Sequence, residues 1–198
     1  MDSHKLRVAT QGEIERVHAE FKKNPNARGA LAVLAQRVGS MPEVRRLVCK
    51  FEDRDLHPLG TKPYYTLHHD HPSIYLLGWR EGEWTDVHDH GDAEVGIYVV
   101  EGQVTEDIFV TEPVARNWDK DRTNFLQFSR TLRQGDLATC PKKYVHSVGN
   151  IMPECAATLH VYGPDLRDMR LYDSDEKKGI LRFKDTWHNG HDPKNPQH

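Results

Sequence analysis

The chain has 198 residues, 37% of them hydrophobic, and a formal net charge of −3, which suits one large domain with a single core. This charge excludes the basic field that nucleic-acid binding requires. The apolar runs are too short for a transmembrane helix, and the first residues, MDSHKLRVATQGE, lack the apolar core of a secretory leader. We therefore expect a cytoplasmic protein that binds neither nucleic acid nor membrane.

The first quarter of the chain has the periodicity of amphipathic helices. In TQGEIERVHAEFKKNP the apolar positions recur at helical spacing, Thr10 or Gln11 can begin the helix, and Pro25 ends it. The segments ARGALAVLAQRVGS and PEVRRLVCKF repeat the pattern, with Pro42 at a first helical position. We predict helices over roughly residues 10 to 51, in an N-terminal helical segment (residues 1–60) packed on the rest of the domain.

From residue 72 the chain consists of short β-forming runs, separated by turns at residues such as Gly82, Gly102 and Gly135. Many short strands at this spacing are typical of an antiparallel sandwich or small barrel. The predicted strands lie in SIYLLGWR, WTDVH, EVGIYVV, QVTEDIFVT, NFLQFSRTL, DLATC, YVHSVGN, CAATLHVYG and MRLYD. We assign residues 61–184 to this β-rich body and residues 185–198 to a loose polar tail.

The cysteines and two of the tryptophans are assigned to packing. Cys49, Cys140 and Cys155 are odd in number and far apart, which argues against a disulfide framework and against a CxxC zinc site. We expect each to be a small buried residue. Trp79 and Trp84 are assigned to the core.

Two histidines, His88 and His90, lie two residues apart in WTDVHDHGDAEVGIYVVEG. In a strand, residues i and i+2 point to the same face, so the two imidazoles project together. A third histidine, His146, follows a proline-containing turn in GDLATCPKKYVHSVGN. Three neutral imidazoles from adjoining strands are a common ligand set for a non-heme metal with open coordination positions. We predict a metal site made by these three side chains.

Together the two histidine segments resemble the paired motifs of the cupin superfamily. The first motif, G-x5-H-x-H-x3,4-E-x6-G, is matched by Gly82, His88 and His90. The second, G-x5-P-x-G-x2-H-x3-N, is matched, except for Lys143 at its second glycine, by Gly135, Pro141, His146 and Asn150. The resemblance implies a mainly β fold, a cupin-type antiparallel β-barrel (small jelly-roll) preceded by N-terminal α-helices.

Many cupins use the glutamate of the first motif as a fourth ligand, and two registers are open here. With the x3 spacing Glu94 takes that position, whereas with the x4 spacing the closing glycine fits Gly102 and Val95 takes it. A shift of one residue in a strand reverses every side chain, so Glu94 and Val95 cannot both face the metal. Because the glycine turn sets the end of the strand, we expect Glu94 to point elsewhere.

The segment CAATLHVYGPDL places Thr158, His160 and Tyr162 at alternating positions, and therefore on one face of a strand. Beside the three-histidine site this row is similar to the Ser-x-His-x-Tyr series of the cysteine dioxygenase family of thiol dioxygenases. Thr158 keeps the hydroxyl of the serine, and Gly163-Pro164 stands for the Ser-Pro turn of the family. The alternative is an ordinary half-buried strand, since threonine and tyrosine are good β-formers.

This resemblance, over most of residues 60–173, implies a mononuclear non-heme Fe(II) enzyme that adds both atoms of O2 to a small thiol, L-cysteine favoured, and gives a sulfinic acid. His88, His90 and His146 would hold the iron, whose charge would lower the pKa of the substrate thiol. Tyr162 would aim its hydroxyl at bound oxygen or substrate, with His160 holding the phenol. Thr158 would fix the His160 tautomer. The expected partners are the thiol and O2, and we expect a monomer or weak homo-oligomer.

Two departures from the family pattern concern the tyrosine and the substrate. Val95 stands where mammalian-type members have a cysteine that forms a thioether with the tyrosine, so no such crosslink to Tyr162 can form. Cysteine-specific members also carry an arginine two residues after a tyrosine, and here Leu67 follows Tyr65 at that spacing.

A substrate carboxylate therefore needs another cation or other donors, since leaving it unpaired costs several kcal/mol. Arg167 and Arg170 are the candidates together with Tyr65, and His68 and His69 are further ones. A substrate such as 3-mercaptopropionate, bound in an altered way, remains the alternative.

A different class of function also stays open. Cupins serve as sugar-binding or regulator-binding modules, and as isomerases that use zinc or other divalent metals. The hydroxyl-imidazole-phenol row favours oxygen chemistry, because a binding module has no need of it. The histidine-rich residues 68–71 could form a second metal cluster, but a polar turn explains them as well.

Overall fold

The computed structural model describes residues 3–23, 29–48, 58–59, 62–68, 72–110, 122–123, 125–142, 144–163, 166, 168–175 and 180–188. These residues form a helical layer on one side of two antiparallel sheets. Within them, no helix combines the length and the apolar character that crossing a bilayer would need.

Three helices lead the chain: α1 (Ser3–Lys23), α2 (Ala30–Gly39) and α3 (Pro42–Val48). α3 begins at Pro42, the position expected of a helix-starting proline. The predicted start of the first helix at Thr10 or Gln11 is wrong. The preceding residues contain neither proline nor glycine to stop the helix, so it extends back to Ser3 and Thr10 lies fully buried inside it.

The six-stranded sheet has the spatial order β1-β2-β3-β11-β5-β9, and every pairing in it is antiparallel. Its strands are β1 (Pro58–Leu59), β2 (Lys62–His68), β3 (Ser73–Trp79), β5 (Glu94–Glu101), β9 (Leu137–Cys140) and β11 (Ala156–Gly163). β11, the last of these strands in chain order, lies inside the sheet between β3 and β5.

The seven-stranded sheet has the order β7-β13-β12-β4-β10-β6-β8 and is also antiparallel throughout. Its strands are β4 (Val87–His88), β6 (Gln103–Val110), β7 (Arg122–Thr123), β8 (Phe125–Arg133), β10 (Val145–Gly149), β12 (Asp168–Asp175) and β13 (Ile180–His188). The short strand β4 therefore lies between β12 and β10.

Alternate residues of the six-stranded sheet serve two different cores. Side chains such as Ile74 and Leu159 face the helices and form what we call the helix-side core with residues such as Val38. Their neighbours in the strands, such as Tyr75, face the other way and form the interior core with side chains of the second sheet, such as Val148. This period of two is what a sheet buried on both faces requires.

Gly96 allows α2 to lie close against the six-stranded sheet. A Cβ atom at this position of β5 would collide with the backbone of Leu31 and Ala32. Only the absence of a side chain permits this approach, which seals the helix-side core.

The predicted fold class is confirmed: the chain is mainly β, antiparallel, with helices in front. The assignment of residues 185–188 to a loose tail is wrong, because β13 continues to His188 and pairs there with Asp168. β2 was not predicted as a strand, and it forms because Tyr65 and its neighbours find a partner in β3. Of the described cysteines, Cys140 is buried as expected, but Cys155 is exposed immediately before β11.

Candidate metal centre

Pairing between two strands of the seven-stranded sheet brings the three histidines together. His146 of β10 lies directly opposite His88 of β4, and His90 follows two residues later, before the turn that leads into β5. The three rings lie edge to face or tilted, with centroids 4.6, 4.8 and 4.9 Å apart. All three side chains are buried, with 1 to 7% of their surface exposed.

The ring nitrogens of these histidines converge. The Nε2 atoms of His88 and His90 are 3.1 Å apart, and those of His146 and His90 are 3.4 Å apart. Two ligands about 2.1 Å from one metal ion are about 3.0 Å apart at a right angle and about 3.4 Å apart at a tetrahedral angle. The observed spacing therefore fits a single bound cation.

The outer hydrogen bonds set the tautomers in favour of metal binding. His88 Nδ1 donates to the Asp86 carbonyl oxygen at 2.8 Å, and His146 Nδ1 donates to Glu106 Oε1 at 2.7 Å. Since both acceptors carry no hydrogen, the Nε2 atoms of these two rings keep their lone pairs and point into the centre. Buried lone pairs aimed at one point, without a protein donor for each, are satisfied by a cation.

The imidazoles of His88 and His90 are held neutral. Burial, followed by the charge of His146, lowers the pKa of His88 to about 3. Burial and the neighbouring His88 and His146 also lower the pKa of His90 well below its ordinary value. A histidine must be neutral to coordinate a metal, so at neutral pH both rings are ready to act as ligands.

Asp89, between the two histidines of the HxH segment, fixes the geometry of that segment from the other side. Its Oδ2 accepts a hydrogen bond from the Tyr172 hydroxyl at 2.8 Å, and its Oδ1 accepts one from Gly91 N at 3.0 Å. Its backbone N donates to Arg170 O at 3.1 Å. The sequence motifs do not predict this role of Asp89, although an aspartate between two predicted ligands is a signal that such a role exists.

Glu106 is the second residue of the site that the sequence motifs do not predict. It is fully buried on the interior face of β6, with Val104 and Ile108 on either side at alternate positions. Burial alone would raise its pKa, but the hydrogen bond and charge of His146 and of Arg130 together hold the pKa of Glu106 below its ordinary value. The signal in the sequence is a single carboxylate that alternates with apolar residues along one face of the predicted strand.

Cys140 completes the surroundings of Glu106. Its Sγ lies 3.6 Å from Glu106 Oε1 and 3.8 Å from His146 Nδ1. Burial, followed by the negative charge of Glu106, raises the pKa of the Cys140 thiol well above its ordinary value. Cys140 therefore stays a thiol that donates to Glu106 rather than a thiolate ligand.

The row on β11 forms a continuous chain of hydrogen bonds in the interior core. Thr158 Oγ1 and His160 Nε2 are 2.9 Å apart, and His160 Nδ1 and the Tyr162 hydroxyl oxygen are 3.3 Å apart. Trp79, which the sequence analysis assigned to packing, extends the row, since its Nε1 donates to Thr158 Oγ1 at 2.8 Å. Trp79 is thus both a core residue and a hydrogen-bond donor to the row.

Tyr162 links this row to the three histidines. Its ring centroid lies 5.5 Å from that of His90 and 5.7 Å from that of Tyr75. Burial raises the pKa of Tyr162 above its ordinary value, and burial lowers the pKa of His160 to about 3. The pair therefore consists of a neutral phenol and a neutral imidazole at neutral pH.

Glu94 and Val95 take the positions that the glycine register predicts. Glu94 is exposed, whereas Val95 belongs to the interior core and lies directly opposite Tyr162 across the strand pair. Val95, which stands at the position of the cysteine in mammalian-type members, therefore faces Tyr162.

Of the three residues predicted to bind the substrate, only Arg170 has a described side chain. Met169 belongs to the interior core, so Arg170, the next residue of β12, lies on the opposite face, away from the centre. Arg167 and the side chain of Tyr65 lie outside the described residues. Leu67, at the position of the family arginine, packs in the helix-side core.

Comparison with known proteins connects this centre with one family. The model of the family "Cysteine dioxygenase type I" matches residues 69–175, more than half of the chain, and this range contains the three histidines and the row on β11.

Two of the similar curated proteins come from mammals. Cysteine dioxygenase type 1 of Rattus norvegicus is 27% identical over 105 residues, which cover 51% of this chain and 49% of the relative. The Bos taurus protein of the same name is 27% identical over 118 residues, which cover 56% of each chain. The chain thus spans about half the length of the curated relatives it matches.

Solved structures with a similar course of the chain include an uncharacterized protein with a double-stranded beta-helix domain from Klebsiella pneumoniae. It has a TM-score of 0.47 and 15% identity, and covers 61% of this chain and 86% of its own. A Cupin 2 conserved barrel domain protein from Salinispora arenicola has a TM-score of 0.41 and 15% identity, covering 55% and 80%.

Proposed function

The chain belongs to the cysteine dioxygenase type I family, and from this we propose that it is an Fe(II)-dependent thiol dioxygenase. It would oxidise a small thiol with O2 to the sulfinic acid, both oxygen atoms entering the product. L-Cysteine is the favoured substrate, with 3-mercaptopropionate or another small thiol as the alternative. The observation that carries the proposal is the buried, convergent set of three histidines beside a hydrogen-bonded tyrosine.

The three histidines fit a divalent cation, and their convergent Nε2 atoms would be its ligands. Bound Fe(II) would supply positions for a thiolate and for O2, together with the redox chemistry that joins them. The chain contributes a site whose three histidines are buried inside the domain, where side chains such as Leu77, Ile97 and Met169 form the interior core. Exclusion of water strengthens each electrostatic interaction in the site and protects reactive species from hydrolysis.

The row on β11 gives the Tyr162 hydroxyl a defined direction. An indole N–H can only donate, so Thr158 Oγ1 accepts from Trp79 and has its own hydrogen available for His160 Nε2. With that donation His160 carries its proton on Nδ1 and donates to the phenol oxygen of Tyr162. The phenol hydrogen is then free to donate to a substrate or oxygen atom at the centre.

Recognition of the carboxylate is assigned to Arg167 with Tyr65. What supports Arg167 is its place in the sequence, shortly after β11, the strand that carries Tyr162. Arg170 faces the opposite side of β12 and has no part in this proposal. Of the described cations, Arg130 does reach the interior, but its guanidinium is paired with Glu106.

The test is oxygen consumption by the Fe(II)-loaded protein with cysteine, 3-mercaptopropionate and cysteamine compared side by side, and with the sulfinate product quantified. We expect one sulfinate per O2 with a carboxylate-bearing thiol, and no turnover in a His146→Ala control. Iron-loaded protein that consumes no oxygen with any of the three thiols would contradict the thiol assignment.

A pair of variants tests the carboxylate contact. Arg167→Leu should raise KM for cysteine by about tenfold or more, the loss expected for a hydrogen bond to a charged group. KM for cysteamine, which lacks the carboxylate, should stay unchanged. Arg170→Leu is the matched control, and an effect of equal size there would count against Arg167.

A further inference from the structure

The carboxylate of Glu106 has three side-chain partners, and one of them is a histidine of the metal centre. Glu106 lies opposite Arg130 in the pairing of β6 with β8, and both side chains enter the interior face. Oε2 accepts from Arg130 Nε at 2.6 Å, and Arg130 Nη2 lies at the same distance from it. A fully buried carboxylate with this ion pair has one oxygen committed to the cation.

The other oxygen, Oε1, is committed to His146 and Cys140. It accepts from His146 Nδ1 at 2.7 Å, and the Cys140 thiol approaches it at 3.6 Å. Both oxygens therefore have partners, and rotation of the carboxylate would break contacts with two other strands, β8 and β9. Glu106 is thus a rigid acceptor rather than a mobile side chain.

The three histidines differ in the hydrogen-bond partners of their Nδ1 atoms. His146 donates to a charged carboxylate, His88 donates to a backbone carbonyl, and His90 Nδ1 has no hydrogen-bond partner among the described residues. A carboxylate behind an imidazole orients the ring and makes its other nitrogen a stronger donor to a metal. His146 is therefore the ligand whose orientation and donor strength depend most on its hydrogen-bond partner.

We propose that Glu106 is a positioning residue for His146 that strengthens divalent-cation binding at the three-histidine centre, and that Arg130 and Cys140 hold Glu106 in place. The inference rests on the proposed function only in taking this centre as the metal site. Loss of the carboxylate should weaken cation binding by about ten- to a hundredfold, the range found when such outer partners are removed.

The experiment compares Glu106→Gln with Asp107→Asn in full-length, metal-free protein. Asp107 is the next residue of β6, faces the other side and accepts from Ser129, so its variant makes the same change of charge without touching His146. Co(II) affinity is measured by competition with a chelator, and the visible absorption of the Co(II) complex reports the ligand field. We expect weaker binding and an altered spectrum in Glu106→Gln alone.

A second measurement covers the case in which Glu106→Gln does not fold. The ¹⁵N spectrum of the histidine side chains in the metal-free wild type should show His146 protonated on Nδ1, since the carboxylate accepts from that atom. Its assignment follows from the loss of one signal in His146→Ala. An Nε2-protonated His146 would overturn the inference.

The possible results separate the inference from the proposed function. Equal Co(II) affinities and spectra for wild type and Glu106→Gln would overturn the inference while leaving the metal centre intact. A wild type that binds no divalent cation would overturn both. Weaker binding in Glu106→Gln with unchanged binding in Asp107→Asn supports the inference whichever thiol the protein oxidises.

Discussion

At the scale of single residues, the centre combines two well-anchored imidazoles with one that has fewer restraints. His88 and His146 are oriented by hydrogen bonds from their Nδ1 atoms, whereas His90 is oriented by packing against the rings around it, including that of Tyr162. Tyr162 contacts His90, the ligand with the fewest restraints, and also ends the row on β11. Removal of its hydroxyl therefore tests whether the row takes part in the reaction.

Tyr162→Phe should lower thiol-dependent oxygen consumption by about a hundredfold, the lower end of what a positioned proton donor contributes, and should reduce the sulfinate formed per O2. Bound iron should remain unchanged, because the hydroxyl is not a ligand. Tyr98→Phe is the control, since that ring belongs to the helix-side core. Unchanged turnover and coupling in Tyr162→Phe would remove the catalytic role of the phenol and leave only the metal site.

At the scale of elements, the site depends on β11 being buried on both faces. Leu159 and Val161 pack against the helices, while His160 and Tyr162 on the alternate positions face the interior. Helix α2 covers β5 and β11 at close range, and Gly96 is the position that permits this. Any displacement of α2 would therefore loosen the strand that carries the row.

Gly96→Ala should destabilise the protein by about 1 to 3 kcal/mol, because the added methyl group collides with the backbone of α2 and forces the helix outward. The measurement is urea unfolding followed by circular dichroism. Gly12→Ala in α1 is the matched control: its Cβ meets nothing within 4 Å, and the change should stabilise by about 0.5 to 1 kcal/mol. A Gly96→Ala protein as stable as the wild type would show that α2 can move without cost.

At the scale of the whole molecule, burial of neutral histidines makes the stability of the metal-free protein depend on pH. Burial lowers the pKa values of His88 and His160 from 6.5 to about 3. Below pH 6.5 the unfolded chain therefore takes up protons that the folded protein does not. The free energy of unfolding is highest above pH 6.5 and falls as the pH is lowered towards 3.

Each such histidine should reduce the free energy of unfolding by about 1.4 kcal/mol per pH unit once the pH is well below 6.5. Urea unfolding of metal-free protein at several pH values between 6.5 and 5 measures this slope, while carboxylates stay largely ionised. His160→Gln should show a smaller slope. Equal slopes for the variant and the wild type would mean that His160 titrates normally in the folded protein.

The sequence by itself determined the features that depend on short-range patterns. Period-two alternation indicated most strands, the HxH spacing placed His88 and His90 side by side, and the spacing on β11 placed Thr158, His160 and Tyr162 on one face. These features follow from backbone geometry alone, so neighbouring residues are enough to predict them.

Only the tertiary structure decided which distant side chains complete the site. Trp79 meets Thr158, Tyr172 meets Asp89, and Arg130 meets Glu106 across 79, 83 and 24 residues of chain. It likewise decided that β13 continues to His188 and that Arg170 faces away from the centre. The physical reason is that strand order and register, which no local pattern specifies, determine which residues become neighbours across a sheet.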